Sequence, residues 1–470
     1  MNPQHSSVPA KSGWKEILQK DYRRSMAFIC LSVWLHASMV TAMSTMIPNI
    51  VENIGGISLV PWTFALYELG SILVGAGSGL IVYRYGLRNP MSIAALVFTL
   101  GSMICALANI MPVMLVGRLF QGLGGGGLVA MSFVAIGTLF PSHLMPRAIA
   151  IISAIWGTSA FLGPLIGALF VEHLSWQSAF WYFTILSVVL ATCIRFGFSG
   201  LSSGEIGKSE GRFPVRRLLV LCLGVLLIAA AGINVSTTKT PALVSAGVAL
   251  LWLFLRMDAK AEGNRLLPKR PIGLTKRSSA GLTMILCFAM GAMAITVYGP
   301  LFMVNIHQFS IMAAGYVVAL TAVGWSVAAM LVSGVPVSLD TRVIMLGVSI
   351  LTVGIVGFVY AITEGPLLLL GLLVIMEGFG FGLAWSSILR RMLTLVAADD
   401  RERTSAAIPT VHRLGFALGA AWIGIVANAA GLTTGAPVET IEFVARSVFI
   451  SCLPFALLGI VAAVKFVSSR

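Results

Sequence analysis

The sequence predicts an all-α polytopic membrane helix bundle with fourteen transmembrane helices. Two features predict it. Of the 470 residues, 58% are hydrophobic and only 10% are charged, whereas a soluble domain carries about a quarter charged residues. The apolar residues also gather into runs of roughly 20, the length a helix needs to cross a hydrocarbon core of about 30 Å. Helices follow rather than sheets, because an open sheet edge cannot satisfy its backbone in lipid.

Taken in order, runs at 25–49, 58–82, 91–109, 112–140, 149–171 and 179–197 give six spans. Runs at 218–235 and 242–256 add two, and runs at 280–304, 312–334, 343–362, 366–389, 405–430 and 444–465 add a last six. The 242–256 run is the weakest, short for a crossing unless the preceding TTKTP is counted, so twelve spans plus a shallow hairpin is the alternative. Either number is even, which puts both termini on one side. The first 25 residues are polar and do not read as a cleaved signal peptide.

Of the 31 Lys and Arg, all but four lie in segments or at span ends on the side of the termini. Lys239 and Arg446 fall opposite, and Arg118 and Arg413 fall inside spans. This asymmetry predicts cytoplasmic termini, and the membrane expected is a bacterial inner membrane. It also accounts for the net charge of +14 without nucleic acid as a partner. The six cysteines lie in or at the ends of apolar runs with no CxxC spacing, so neither a disulfide framework nor a metal site is expected. No cofactor is implied, and GLGGGG lacks the Lys and Ser/Thr of a phosphate-binding loop.

Two basic segments, SGLSSGEIGKSEGRFPVRR and AKAEGNRLLPKRPIGLTKRSS, bracket the seventh and eighth spans. The expected organisation is a cytoplasmic segment 1–24, a six-helix half 25–197, a linker with two extra membrane helices 198–279, and a second six-helix half 280–470. Two such halves are what a transporter built from parallel repeats shows, with its site near the midplane where they meet.

The most informative stretch is GRLFQGLGGGG, Gly117 to Gly127. On a helix Arg118, Gln121 and Gly122 share a face that Gly125 and Gly126 continue. A charge at that depth costs about 2.5 kcal/mol or more, so it faces a bundle interior or a wet cavity. The glycines let a neighbouring helix or a ligand approach closely.

RLFQGLGGG resembles the fourth-helix motif of the major facilitator superfamily, a resemblance that implies a two-lobed transporter and a role for Arg118 in proton coupling. In the fifth span, WGTSAFLGPLIGALF resembles the family's antiporter motif GPxxG, which implies an exporter with Gly163, Pro164 and Gly167 as a hinge. A plain packing seam is the alternative there. GSGLIVYRYGLRNP resembles the gate motif GxxxDRxGR, with Gly79, Arg84, Gly86 and Arg88 in register but Tyr83 in place of the aspartate; GVPVSLDTR offers Gly334, Asp340 and Arg342 as a degenerate counterpart. The first span resembles LDxTIVNxALPxI of the fourteen-helix drug:proton antiporter branch, with Met39 at the usual aspartate position and His36 nearby.

With both acids absent, Glu68 and Glu377 are the carboxylates well inside spans. A desolvated carboxyl group exchanges its proton as its hydration or a neighbouring cation changes, so Glu68 and Glu377 join Arg118, whose role the family resemblance implies, as the candidates for proton coupling. Their alternative is that both carboxylates are stably bonded to Arg118 and Arg413. Tyr67, Gln121, Tyr298 and Trp385 are the candidates for a substrate cavity. The function expected is proton-coupled export of lipophilic or amphiphilic small molecules, of multidrug type, by alternating access in a monomer. Alternatives are an uncoupled facilitator or importer of a specific metabolite, or a non-transporting sensor. Six scattered histidines do not form the cluster an enzyme would need.

Overall fold

In the computed structural model, which describes residues 14–17, 19–141, 143–197, 213–261, 265–397 and 400–468, every regular element is helical. A short α1 (Trp14–Ile17) precedes α2 (Lys20–Ile54), which is followed by α3 (Val60–Gly75), α4 (Ser78–Tyr85), α5 (Arg88–Ala106), α6 (Met111–Leu139), α7 (Met145–His173) and α8 (Trp176–Gly197). After residues outside the description, which include most of the first basic segment, come α9 (Val215–Ala230) and α10 (Lys239–Ala259). The chain then forms α11 (Arg277–His307), α12 (Ile311–Val332), α13 (Asp340–Glu364), α14 (Leu367–Thr394), α15 (Arg401–Ala429) and α16 (Val438–Val467). Most of the expected N-terminal segment 1–24 also lies outside the described residues.

Thirteen helical stretches among the described residues are long and apolar enough to cross a membrane. The weak element is not where the hydropathy put it. The 242–256 run belongs to α10, 21 residues long, because Lys239, Thr240 and Pro241 enter its first turn, where a proline needs no backbone donor. Thr240 Oγ1 secures that end, donating to the Ala231 carbonyl at 3.0 Å and accepting from Ser236 N at 3.1 Å. Of the two linker helices the shorter is α9, with 16 residues.

The expected 58–82 span is broken into α3 and α4 at Ala76 and Gly77. A Cβ on Gly77 would lie 1.8 Å from the ring of Phe213, so a larger residue there needs that ring to move.

Packing falls into two sets. In one, α5 lies on α6 and α8, α3 on α6, and α2 on α7; in the other, α13 lies on α14 and α16, α12 on α14, and α11 on α15 and α16. The sets meet where α3 packs on α15, α7 on α12, and α2 on α11 and α12. In the half of the bundle away from the termini the seam is tight: Ser44 Oγ donates to the Thr296 carbonyl, Thr45 packs on Gly315, and the Phe161 and Tyr316 rings lie 5.5 Å apart.

The α9–α10 hairpin is fixed internally by a buried Arg217–Asp258 pair at 2.5 Å, and Asp258 also accepts from Leu266 N and Leu267 N. It docks on α15 and α3 through Cys222 and Val225 against Leu69 and Ala417. Asn428 of α15 donates to the carbonyls of Gly232 at 2.7 Å and Ser58 at 3.0 Å, tying the hairpin's turn to the approach of α3.

Candidate functional site

The glycines of α6 bring α3 and α5 close enough to build a polar network inside the membrane. A Cβ on Gly122 would lie 2.1 Å from the Tyr67 carbonyl oxygen, one on Gly126 2.3 Å from Ser71 Cα, and one on Gly124 2.4 Å from Phe98 N. These contacts are closer than any side chain permits, so α3 and α5 rest on the α6 backbone itself.

Within that close approach Arg118 is fully buried. Its Nε donates to the Thr63 carbonyl at 3.0 Å and its Nη1 to Gln121 Oε1 at 2.8 Å, and the guanidinium lies 4.3 Å over the Tyr67 ring. Gln121 Nε2 in turn donates to Ser102 Oγ at 2.9 Å. All these partners are neutral, and no carboxylate among the described residues pairs with Arg118. The energy of holding the cation there comes from charge-assisted hydrogen bonds and a cation–π contact.

The acid of α3 is met from the other set of helices. Arg413 of α15 places Nη1 3.3 Å from Glu68 Oε2 and 2.8 Å from Ser71 Oγ, and Nη2 3.4 Å from His36 Nε2. His36 Nδ1 lies 2.8 Å from Tyr67 Oη, and Trp156 stands edge-on to the imidazole at 5.7 Å. Arg413, Glu68, Ser71, His36, Tyr67, Arg118, Gln121 and Ser102 therefore form one contiguous chain from α15 through α3 and α2 to α6 and α5. Both members of the ion pair are largely withdrawn from solvent, with side chains 22% and 11% exposed.

The structure brings Glu68, Arg118, Tyr67 and Gln121 together and leaves the other expected residues elsewhere. Glu377 is buried on α14 with its backbone against Gly354 of α13, and its Oε2 has no hydrogen-bond partner among the described residues. Of the two arginines that could have held the carboxylates, Arg413 takes Glu68, and neither takes Glu377. Tyr298 is buried on α11, stacked on Phe302 at 5.4 Å, its hydroxyl also unpartnered. Trp385 belongs to an aromatic group on the second set of helices, 5.6 Å from Trp325 and 5.2 Å from His412, which also touches Phe381 and Phe416.

Gly163 and Gly167 face α2: their Cβ positions would lie 1.9 Å from Thr41 Oγ1 and 3.0 Å from the Ala42 carbonyl. Thr41 Oγ1 bridges to the Ser159 carbonyl at 3.1 Å, and Pro164 lies within α7 between them. At the end of α4, Gly86 takes a positive φ of 74° and Arg88 Nε donates to the Arg195 carbonyl at 2.9 Å. Arg84 lies over the Tyr85 ring, Tyr83 is exposed, and a Cβ at Gly79 would meet nothing within 4 Å. In the second set, Asp340 is buried and bonded to Arg390 Nη2 at 2.6 Å, while Arg342 is exposed.

Arg413, Ser71, His36 and Ser102 are the network members that sequence reasoning did not single out as site residues. The depth of Arg413 in its span was the available signal for it. For His36 the signal was only its place near Met39, because a single imidazole in an apolar run looks the same whether or not a partner faces it.

A bundle of membrane-crossing helices in two packed sets, with ionisable groups held at the seam, defines a membrane transporter rather than an enzyme. The chain belongs to the major facilitator superfamily, whose family model matches residues 29–237 and 219–420. It is 28% identical over 464 residues, 96% of this chain and 95% of the relative, to a protein of Mycobacterium tuberculosis named "probable multidrug-efflux transporter". It is 23% identical over 404 residues, 84% of this chain and 86% of the relative, to the riboflavin transporter RibZ of Clostridioides difficile. In fold it matches the crystal structure of the POT family transporter PepTSo with a TM-score of 0.66 at 15% identity, over 94% of this chain and 97% of that one.

Proposed function

We propose that the protein exports lipophilic or amphiphilic small molecules in exchange for protons, as a monomer in a bacterial inner membrane with both termini cytoplasmic. The relative named for multidrug efflux, matched end to end, supports export. The observation that carries proton coupling is the Glu68–Arg413 pair between the two packed sets of helices. These sets are the six-helix halves at 25–197 and 280–470, and they rock about the seam while the 198–279 insertion rides on α15 and α3.

In this reading Glu68 is the proton site, and Arg413 is the cation that its ionised form holds. A proton on Glu68 removes the charge that ties the halves at mid-membrane. Arg118 holds Tyr67 and the start of α3 in place and sets the potential around Glu68. Gly163, Pro164 and Gly167 let α7 flex against α2, and the segment Gly79 to Arg88 closes the cytoplasmic end. Substrate sits between Tyr67 and Gln121 on one side and Trp385 and Tyr298 on the other, with Glu377 as a second carboxylate. Moving one proton through about 100 mV supplies about 2.3 kcal/mol, which sustains a substrate gradient of roughly fifty-fold.

The test uses proteoliposomes with an imposed pH gradient and a fluorescent amphiphile. The wild type concentrates the amphiphile with compensating proton movement, and Glu68→Gln exchanges substrate across the membrane without responding to the gradient. A Glu68→Gln protein that still accumulates substrate against its gradient would remove the coupling role and leave the uncoupled facilitator.

A further inference from the structure

His36 is buried on α2, and both its ring nitrogens are engaged: Nδ1 lies 2.8 Å from Tyr67 Oη and Nε2 lies 3.4 Å from Arg413 Nη2. Gly125 makes room for this arrangement, since a Cβ there would sit 3.0 Å from Nδ1 and 2.9 Å from Tyr67 Oη. The proton positions follow from donor and acceptor chemistry alone. A guanidinium has five N–H donors and no acceptor, so Nε2 faces Arg413 with its lone pair. A neutral imidazole carries one N–H, which is then on Nδ1 and donates to Tyr67 Oη. The Tyr67 hydroxyl hydrogen is left for the His36 carbonyl, 3.5 Å away.

We infer that His36 is the Nδ1-protonated tautomer and is a positioning residue: a second acceptor that keeps Arg413 at the seam when Glu68 is neutral. Neutralising Glu68 alone leaves the guanidinium bonded to Ser71 Oγ and His36 Nε2. The charged and titratable groups facing the imidazole are Arg413 from α15, Arg118 from α6, and Tyr67 and Glu68 from α3. A proton arriving at Nε2 forms a new N–H bond and displaces only the Arg413 hydrogen bond, while Nδ1–H stays on Tyr67. Arg413 and that proton are mutually exclusive occupants of one lone pair. Removing both titratable partners of Arg413 therefore takes up two protons, one on Glu68 and one on His36, and leaves only the Ser71 Oγ hydrogen bond. That role in exchange rests on the reading of Glu68 as the proton site; the tautomer does not.

The two parts are tested separately on the full-length protein in lipid. With 15N-labelled histidine, the His36 ring signals, identified by their loss in His36→Asn, are expected to show a protonated Nδ1 and an unprotonated Nε2, and to shift towards the Nε2–H tautomer in Arg413→Met. A wild-type His36 carrying its proton on Nε2 overturns the inference whatever the protein transports. In proteoliposomes, His36→Gln is expected to lower the dependence of exchange on proton concentration from second order to first order. A His36→Gln protein with the wild-type pH profile and KM overturns the positioning role and leaves the proposed function intact. Loss of all pH dependence in the wild type overturns that function and not the tautomer.

Discussion

Arg413 of α15 and Glu68 of α3 lie 345 positions apart in the chain and meet at 3.3 Å across the seam between the two packed sets of helices. Removing one partner of such a pair leaves the other charge buried and uncompensated, which costs about 3–5 kcal/mol for a fully buried pair. With side chains 22% and 11% exposed, the lower end of that range applies. Arg413→Met is expected to lower the thermal midpoint of the purified protein clearly, and adding Glu68→Gln to it is expected to restore part of the loss. Additive losses in the double variant would mean that the two groups do not stabilise one another.

Arg118 makes two directed hydrogen bonds and stacks on Tyr67, a geometry that the planar guanidinium fits and an ammonium does not. Arg118→Lys is accordingly expected to reach the membrane folded but to lose transport by at least tenfold. The measurement is uptake at equal protein per liposome, with the thermal midpoint as the control for folding. Transport at the wild-type rate would reduce Arg118 to a scaffold group.

The glycines of the two family-like motifs separate cleanly by space. Gly122 has the Tyr67 carbonyl 2.1 Å from its Cβ position, whereas Gly79 has nothing within 4 Å. Gly122→Ala must push α3 away and is expected to destabilise by about 1–3 kcal/mol, the range for overpacking. Gly79→Ala, on an open helical face, is expected to be neutral or to stabilise by up to about 1 kcal/mol. Chemical or thermal denaturation in detergent compares the two directly.

Gly315 of α12 faces Thr45 of α2, with only 2.6 Å between its Cβ position and Thr45 Oγ1. Gly315→Val is expected to disfavour this closed arrangement and so expose the seam from the side opposite the termini. Cysteines introduced at Ser44 and Thr296, which bond across that seam, should then label faster with a membrane-impermeant thiol reagent than they do in the parent protein. Unchanged labelling would show that α2 and α12 absorb the methyl groups without parting.

The membrane class, the order of the helices and the positions that carry charge inside them are already determined by the sequence. Transfer of a side chain into lipid is a cost that each residue incurs on its own, so apolar length and isolated charges can be read one run at a time. Arg118 and Glu68 were accessible for that reason. The same reasoning misplaced the weak span, because the end of α10 is set by Thr240 reaching back to Ala231 rather than by hydropathy. It also joined α3 to α4 across the break at Ala76 and Gly77.

Only the tertiary structure decided which charge meets which. A pairing depends on the rotation of each helix about its own axis, and that rotation is fixed by backbone contacts at Gly122, Gly124 and Gly126 and by the crossing of α15 over α3. Glu68 and Glu377 are equivalent in the sequence, each a lone carboxylate in an apolar run. Packing turned one towards Arg413 across the seam and buried the other on α14 against α13, and no property of either residue alone records that difference.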